Sequence, residues 1–236
     1  MPGKKEDIFS IQIERDELHE QIGGGFPPGS ICYLEGSHSG GKSVMCQRMT
    51  MGFLENGCSV TYISTELTMD EFIKQMYSLD FRISGHVLHD QLLYIPVYPL
   101  MSDMKKRDDF LKKLMRGKEL FKSDIIIIDT LSALIGSSVM EKMSPQLFLQ
   151  FLKKLSALGK VIILTVDPTE VNPDLSEPFK SVATSYWDMS VKTVGGSTSR
   201  IIKILRFGNA INPFEETIGF KVSPGIGIII EITTVG

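Results

Sequence analysis

Short, almost purely apolar runs alternate with longer segments of helical apolar spacing along the first two thirds of the chain. Residues 125–128 are four consecutive isoleucines, which is typical of a strand buried on both faces in the middle of a parallel sheet. In residues 105–121, by contrast, the apolar side chains share one side of a helix. The pattern predicts strands at residues 31–34, 59–64, 92–97, 125–128 and 161–166, and helices at residues 44–54, 69–79, 105–121 and 145–158.

The last third of the chain has a different pattern, in which apolar runs follow one another with only short turns between them. One such turn is Gly195-Gly196-Ser197-Thr198. Strands joined this way are typical of an antiparallel sheet. The runs predict strands at residues 189–194, 200–207, 217–222 and 226–232. Residues 168–178 are rich in Pro, Asp, Asn and Glu, and we interpret them as a surface loop.

The order of these elements predicts an α/β fold. Alternating strands and helices form a mainly parallel sheet flanked by helices, and the C-terminal runs add an antiparallel β extension. Before the first strand, residues 8–22 are predicted to be an extended piece with a short turn, followed by a turn cluster at residues 23–29. Neither an internal repeat nor a low-complexity linker occurs, so we expect residues 1–236 to form a single domain.

Composition narrows the classes of partner. The 236 residues carry a formal net charge of −3 and no extended basic run, so no nucleic-acid partner is expected. Cys32, Cys46 and Cys58 lack the spacing of a metal site, and buried thiols are the expectation, which indicates a reducing compartment. Residues 1–7 are charged and no run approaches 18 apolar residues, so we expect a cytoplasmic protein without direct membrane insertion.

Residues 36–43 match the phosphate-binding P-loop pattern G-x-x-x-x-G-K-[ST]. The glycines let successive backbone N–H groups point at nucleotide phosphates, and the following helix adds the partial positive charge of its N-terminus. Lys42 is expected to reach the β- and γ-phosphates, and the Ser43 hydroxyl to bind Mg²⁺. The predicted nucleotide contacts are Ser37, His38, Ser39, Gly40, Gly41, Lys42, Ser43 and Val44, with His38 interpreted as exposed variation rather than as a catalytic group.

Two carboxylates follow predicted parallel strands at the edge where ligands bind. Asp129 ends the isoleucine run, where P-loop proteins hold Mg²⁺, although a helix N-cap is the alternative interpretation. Glu66 follows the strand at residues 59–64 and can serve as a general base for an attacking water, or be a solvated residue in the first turn of a helix. Thr165 and Asp167 end another strand, where γ-phosphate sensing and ordinary capping are both open.

Two further candidates lie in the C-terminal extension. Arg206 precedes a Gly-Asn turn and can act as an arginine finger on a neighbouring subunit's phosphates, with a solvated edge-strand arginine as the alternative. Ser223, in Ser223-Pro224-Gly225, is a candidate for the adenine pocket, although Pro-Gly is also an ordinary hairpin turn.

Taken together, these residues resemble the RecA/KaiC-type ATPases. The series consists of Gly25-Phe26-Pro27-Pro28-Gly29, the P-loop at residues 36–43, Tyr62 to Glu66, and Ile125 to Asp129, and it spans nearly the whole chain. The resemblance implies Mg²⁺ and ATP as cofactors, Glu66 as base, Arg206 acting across a subunit boundary and hexameric rings as an assembly. Two departures suggest slow turnover: Leu67 replaces a second glutamate, and two residues separate Lys203 from Arg206 where KaiC has one.

A narrower resemblance is to the archaellum (archaeal flagellum) accessory ATPase family, FlaH. The stretches that carry it are Ser64-Thr65-Glu66-Leu67-Thr68, Gln75-Met76-Tyr77-Ser78-Leu79 and Tyr94-Ile95-Pro96-Val97. It implies an ATP-binding regulatory subunit that modulates the archaellum motor ATPase, with slow or no hydrolysis of its own. The implied partners are that ATPase and membrane platform or cytoplasmic ring proteins, which would hold the chain at the cytoplasmic face of the membrane.

Three alternatives remain open. A DNA-dependent ATPase related to RecA would use the segments 136–144 and 179–200, whose cations are interrupted by Glu141 and Asp188. A nucleotide-locked scaffold would bind ATP without turnover, which sequence does not distinguish from a regulatory ATPase. An autokinase would phosphorylate hydroxyls such as those at residues 197–199, although turns are commonly rich in Ser and Thr.

Overall fold

A computed structural model of the protein describes residues 8–97, 110–135, 145–194 and 197–231. A nine-stranded mixed sheet forms the centre of this described part. The strand order is β11-β10-β9-β8-β3-β7-β6-β4-β5. The strands of this sheet are β3 (Ile31–Gly36), β4 (Val60–Ser64), β5 (Leu92–Pro96), β6 (Ile125–Asp129), β7 (Val161–Val166), β8 (Ser185–Val194), β9 (Ser197–Phe207), β10 (Thr217–Ser223) and β11 (Gly227–Glu231).

The strands from β3 to β5 in this order are all parallel, as predicted. Alternate residues of each strand face two separate apolar layers. On one face, Ile125 and Ile127 pack with helices α2 (Lys42–Glu55) and α3 (Met69–Ser78). On the other, Ile126 and Ile128 pack with helices α6 (Leu131–Ile135), α7 (Pro145–Ala157) and α8 (Pro173–Val182). The mainly parallel sheet with helices on both faces is therefore confirmed.

Strand β8 joins the parallel half of the sheet to the antiparallel half. It runs parallel to β3 and antiparallel to β9, and β9, β10 and β11 continue as antiparallel neighbours. The antiparallel extension is confirmed, but β8 begins at Ser185 rather than at the predicted residue 189. The first residues of β8 include buried Trp187 beside polar Asp188, so the run lacks the continuous apolar character of the other central strands.

The predicted surface loop at residues 168–178 is confirmed for residues 168–172 and was wrong for residues 173–178, because α8 begins at Pro173. The Asn172 side chain accepts a hydrogen bond from the Asp174 N–H, and Pro173 occupies the first turn, where its missing N–H costs nothing. The side chain of Phe179 is fully buried and packs α8 against the apolar core. The polar residues from Pro173 onward are thus the start of a capped helix.

The predicted helix at residues 105–121 is shorter in its described part. Helix α5 covers Phe110–Arg116, and after Gly117 the chain continues as a 3₁₀ turn over Lys118–Phe121. Residues 105–109 lie outside the described residues. The short helices α4 (Ser84–Leu88) and α6 were not predicted from the sequence pattern.

The N-terminal segment is attached to helix α2 through a buried ion pair. Strands β1 (Phe9–Ser10) and β2 (Gly25–Phe26) pair on either side of helix α1 (Leu18–Gln21). Arg48 of α2 is fully buried and donates from Nε to Asp16 Oδ2 and from Nη2 to Asp16 Oδ1, both at 2.6 Å. Its Nη1 donates to the Ile11 carbonyl at 2.8 Å, so this one side chain holds the N-terminal segment on α2.

Candidate nucleotide-binding site

The P-loop lies between the end of β3 at Gly36 and the start of α2 at Lys42, in the strand–loop–helix order that phosphate binding requires. Gly41, which precedes the helix, has φ +93°, a conformation that favours glycine. At Gly36 a Cβ atom would lie 2.8 Å from the Met189 carbonyl oxygen. The loop conformation therefore depends on glycine both for its left-handed turn and for its close approach to β8.

Lys42 is buried and turned back onto the loop. Its Nζ donates to the carbonyls of Gly36 at 2.6 Å and Ser37 at 3.0 Å, and lies 3.5 Å from Asp167 Oδ2. Burial alone would raise the pKa of the Asp167 carboxyl, but hydrogen bonds from Thr169, with the nearby Lys42 and His38, hold this pKa below its usual range. Asp167 is therefore an anion that balances the Lys42 ammonium.

Asp129 lies at the carboxyl end of β6, directly opposite the start of α2. Its Oδ1 accepts hydrogen bonds from Ser43 Oγ at 3.2 Å and Thr165 Oγ1 at 2.8 Å, and its Oδ2 accepts one from the Tyr62 hydroxyl at 2.6 Å. Burial is the largest influence on the pKa of Asp129 and raises it. The three hydroxyl donors lower this pKa and the nearby Glu66 raises it, each by a smaller amount. A buried carboxylate held by hydroxyls alone favours a cation beside it.

Glu66 stands at the mouth of the site, just beyond the end of β4. Its Oε1 accepts a hydrogen bond from the Thr130 hydroxyl at 2.6 Å, and its side chain is otherwise exposed. Thr130 is the residue directly after Asp129 in the chain. Its hydrogen bond therefore connects the candidate base, Glu66, to the segment that carries the candidate metal ligand, Asp129. A carboxylate in this position can accept a proton from a water molecule in the cleft.

His38 links the P-loop to the segment after β7. Its Nε2 lies 3.0 Å from Glu170 Oε1, and its Nδ1 lies 3.7 Å from Asp167 Oδ2. Glu170 Oε2 in turn accepts a hydrogen bond from Ser132 Oγ at 3.0 Å. His38 is exposed, as the sequence analysis interpreted it, but it has two carboxylate neighbours that the sequence did not predict.

A cleft of about 290 Å³ opens over the P-loop, and it includes a residue that the sequence analysis did not assign to the site. Arg200 of β9 pairs with Val191 of β8 and Phe220 of β10, on the sheet face that carries α2. A Cβ atom on Gly41 would lie 2.7 Å from Arg200 Cδ, and the buried Arg200 Nε has no hydrogen-bond partner among the described residues. The cleft is lined by His38, Ser39, Gly40, Gly41, Lys42, Ser43, Val44, Glu66 and Arg200.

Known proteins resemble this chain over nearly its whole length. The family model described as "ATPase: KaiC" matches residues 11–230. The "Archaeal flagellar ATP-binding protein FlaH" of Methanocaldococcus jannaschii is 44% identical over 229 residues, covering 97% of this chain and 98% of that protein. The chain belongs to the FlaH family of KaiC-like ATPases.

Two further matches support this membership. The protein of the same name from Methanococcus voltae is 40% identical over 225 residues, covering 95% of this chain and 97% of that protein. A crystal structure of the flagellar accessory protein FlaH from Methanocaldococcus jannaschii superposes with a TM-score of 0.90 at 43% identity, covering 96% of this chain and 100% of that one. Membership in an ATPase family implies nucleotide binding.

Magnesium fits the donor set of this FlaH-family site. Mg²⁺ prefers oxygen ligands, and Ser43 Oγ and Asp129 Oδ1 lie 3.2 Å apart beside the P-loop. Ser43 and Asp129 would hold the ion, which would neutralise phosphate charge when bound. The described residues contain no separate group of three or more His, Cys, Asp or Glu side chains arranged for a metal.

Two predicted site residues lie away from the cleft. Arg206 pairs with Tyr186, near the opposite end of β9 from Arg200, and donates a hydrogen bond to the Lys180 carbonyl. It does not reach the P-loop of its own chain, and its action on a neighbouring subunit stays a prediction. Ser223 ends β10, and the turn after it contacts α3 through the Gly225 N–H and the Ser78 carbonyl, so Ser223 does not line the cleft.

The segments behind the alternative functions are only partly described. Lys180, one of the cations considered for DNA binding, is paired with Glu35 at 2.8 Å and with Glu177 at 3.4 Å. Residues 136–144, with Lys142 and Glu141, lie outside the described residues, as do Gly195 and Gly196 of the turn beside Ser197 and Thr198. Within the ranges that the structure describes, no helix is long and apolar enough to cross a membrane.

Proposed function

We propose that the protein is an ATP-binding regulatory subunit of the archaellum motor complex. It binds Mg-ATP at the P-loop cleft and modulates the assembly or activity of the motor ATPase. The observation that carries this proposal is the meeting of Lys42, Ser43, Asp129 and Glu66 around one cleft in a chain of the FlaH family. The relatives named as archaeal flagellar ATP-binding proteins support both the ligand and the motor.

The arrangement favours nucleotide binding over rapid turnover. A single glutamate, Glu66, lines the cleft as the proposed base, and the next residue, Leu67, supplies no second carboxylate. Arg206 is too far along β9 to reach the cleft of its own chain, where Arg200 already lies, so Arg206 could act only on a neighbouring subunit. We therefore propose slow or no hydrolysis by the isolated chain, with a homo-hexamer as one assembly that could bring Arg206 to a neighbouring site.

The same proposal assigns partners and location. Motor ATPase, membrane platform or cytoplasmic ring proteins would bind the chain at the cytoplasmic face of the membrane, and ATP would set the state that they recognise. A nucleotide-locked scaffold differs only in that ATP is never consumed. DNA binding is the less favoured alternative, because Lys180 is already paired and the chain has a net negative charge.

Nucleotide binding is tested with Lys42→Ala and Asp129→Asn. Both variants should lose Mg-ATP affinity by at least about a hundredfold in isothermal titration calorimetry. Lys42→Ala removes the cation that would contact the phosphates, and Asp129→Asn removes the carboxylate that would lie beside Mg²⁺. Lys74→Ala, which removes an exposed cation paired with Asp70, is the matched control and should bind as the wild type does. Wild-type affinity in both site variants would contradict the proposal.

Hydrolysis and motor regulation are separated by Glu66→Gln. This variant should bind Mg-ATP as tightly as the wild type, and any slow release of phosphate should disappear with the base. Co-purification with the motor ATPase, with and without ATP, then shows whether binding alone sets assembly. Equal recovery of the motor ATPase in all nucleotide states would overturn the regulatory role.

A further inference from the structure

Tyr62 is a fully buried tyrosine whose hydroxyl reaches the nucleotide site without lining it. It lies in the middle of β4, where all five residues are buried. On this strand Tyr62 pairs with Ile127 and Ser64 pairs with Asp129, so Tyr62 and Asp129 face the same side of the sheet. The Tyr62 hydroxyl donates to Asp129 Oδ2 at 2.6 Å.

The two oxygens of Asp129 are thereby given different surroundings. Oδ2 accepts the hydrogen bond from Tyr62, whereas Oδ1 accepts those from Thr165 and from Ser43, the P-loop hydroxyl. Carboxylates rotate readily about their last side-chain bond. A donor on Oδ2, together with Thr165 on Oδ1, therefore fixes the plane of the carboxylate so that one oxygen is directed at Ser43.

Tyr62 is itself restrained by a small aromatic cluster. Its ring centroid lies 4.9 Å from that of Phe72 and 5.8 Å from that of Tyr94, and the Phe72 and Tyr94 rings stack at 4.2 Å. Burial first, and then the proximity of Asp129, raise the pKa of Tyr62 well above its ordinary value, so the hydroxyl keeps its proton and acts as a donor. The side chain is a fixed donor in a packed layer.

We propose that Tyr62 is a positioning residue for the Mg²⁺ side of the nucleotide site, because it orients the Asp129 carboxylate toward Ser43. This inference rests on the proposed Mg-ATP binding and adds to it a residue that never touches the nucleotide. Partners of this kind, which hold a metal ligand in place, commonly change metal affinity by about ten- to a hundredfold when they are removed.

The test is Tyr62→Phe with Tyr94→Phe as the matched control. Each change removes one hydroxyl from the same stacked cluster, but the Tyr94 hydroxyl donates to the Leu67 carbonyl at 2.7 Å rather than to Asp129. ATP affinity is measured for each variant with saturating Mg²⁺ and with EDTA, and the ratio of the two affinities is compared. The ratio isolates the metal, because a general loss of folding or packing lowers both affinities together.

Tyr62→Phe should lower the Mg²⁺ enhancement about tenfold or more while leaving the metal-free affinity unchanged, and Tyr94→Phe should keep the wild-type ratio. In an Asp129→Asn background, Tyr62→Phe should cause no further loss of enhancement, since its partner carboxylate is gone. If Tyr62→Phe keeps the wild-type ratio of ATP affinity with Mg²⁺ to that with EDTA, the role of Tyr62 is overturned and the proposed function still stands. A wild-type chain that binds no ATP would overturn the proposed function as well.

Discussion

At the scale of single residues, the candidate site contains buried ionisable groups whose partners differ. Lys42 rests on two carbonyls near Asp167, and Asp129 is surrounded by three hydroxyls. The Arg200 Nε is buried without a hydrogen bond from the described residues. Burying Asp129 and the Arg200 Nε therefore costs free energy, whereas Asp167 balances the charge of Lys42. A bound phosphate chain with its Mg²⁺ would offset the cost at Asp129 and Arg200.

Arg200→Met tests this view, because it keeps most of the aliphatic stem over Gly41 and removes the charge. We expect the nucleotide-free variant to melt at the wild-type temperature or above it, and its affinity for both ATP and ADP to fall about tenfold. Calorimetric titration and thermal melts measure the two effects. Lys203→Met removes an exposed cation from the same strand and should change neither. A lower melting temperature with unchanged affinity would mean that Arg200 serves packing only.

Much of this residue-level chemistry could be read from sequence, but not all of it. Lys42, Ser43 and the glycines are recognisable because the P-loop is a contiguous motif, and Asp129 because it ends an apolar strand. Tyr62 and Arg200 carry no local signal: each is one residue of an ordinary strand pattern. Their roles follow from which strands lie next to each other, which a linear pattern does not specify.

At the scale of elements, helix α2 connects the P-loop to the N-terminal segment. Its first turn carries Lys42 and Ser43, and Arg48, one and a half turns later, holds Asp16 and the Ile11 carbonyl. Asp16 Oδ1 also accepts the Leu18 N–H at the start of α1, so the pair fixes two elements together. Removing one partner of such a buried pair is strongly destabilising, because the other charge is left buried without compensation.

Arg48→Met should therefore lower the free energy of unfolding by about 3 kcal/mol, because Asp16 would remain buried without its cation. Chemical denaturation at pH 7 gives this value directly. The matched control is Lys74→Met, which breaks the exposed Lys74–Asp70 pair and should cost less than about 0.5 kcal/mol. Comparable losses in the two variants would show that burial does not decide the strength of the Arg48 pair.

At the scale of the whole molecule, two thiols lie in the interior near the nucleotide site. Cys32 of β3 and Cys46 of α2 are fully buried in the same apolar layer. Burial raises the pKa of Cys32 to about 12 and that of Cys46 well above its ordinary value. Both thiols are therefore expected to stay protonated and unreactive until the core around them opens.

Thiol labelling at pH 8 then reports on global opening. Cys32 and Cys46 should react slowly in the native chain, and Mg-ATP at about one hundred times its dissociation constant should slow the reaction about a hundredfold, because ligand binding stabilises the native state alone. Mass spectrometry of the labelled peptides measures each cysteine separately. A labelling rate that is unchanged by Mg-ATP would indicate that the cysteines react through a local opening independent of the nucleotide site.

The alternation of strands and helices, the P-loop and the carboxylates at strand ends are predictable from the linear chain, because each of these is encoded in neighbouring residues. Long-range packing was needed to show that β8 joins the two halves of the sheet, that residues 173–182 form a capped helix, and that Tyr62, Thr165 and Ser43 meet at Asp129. Strand order and register follow from the packing of two apolar layers over the whole chain. Contacts between residues far apart in sequence therefore emerge only when that packing is complete.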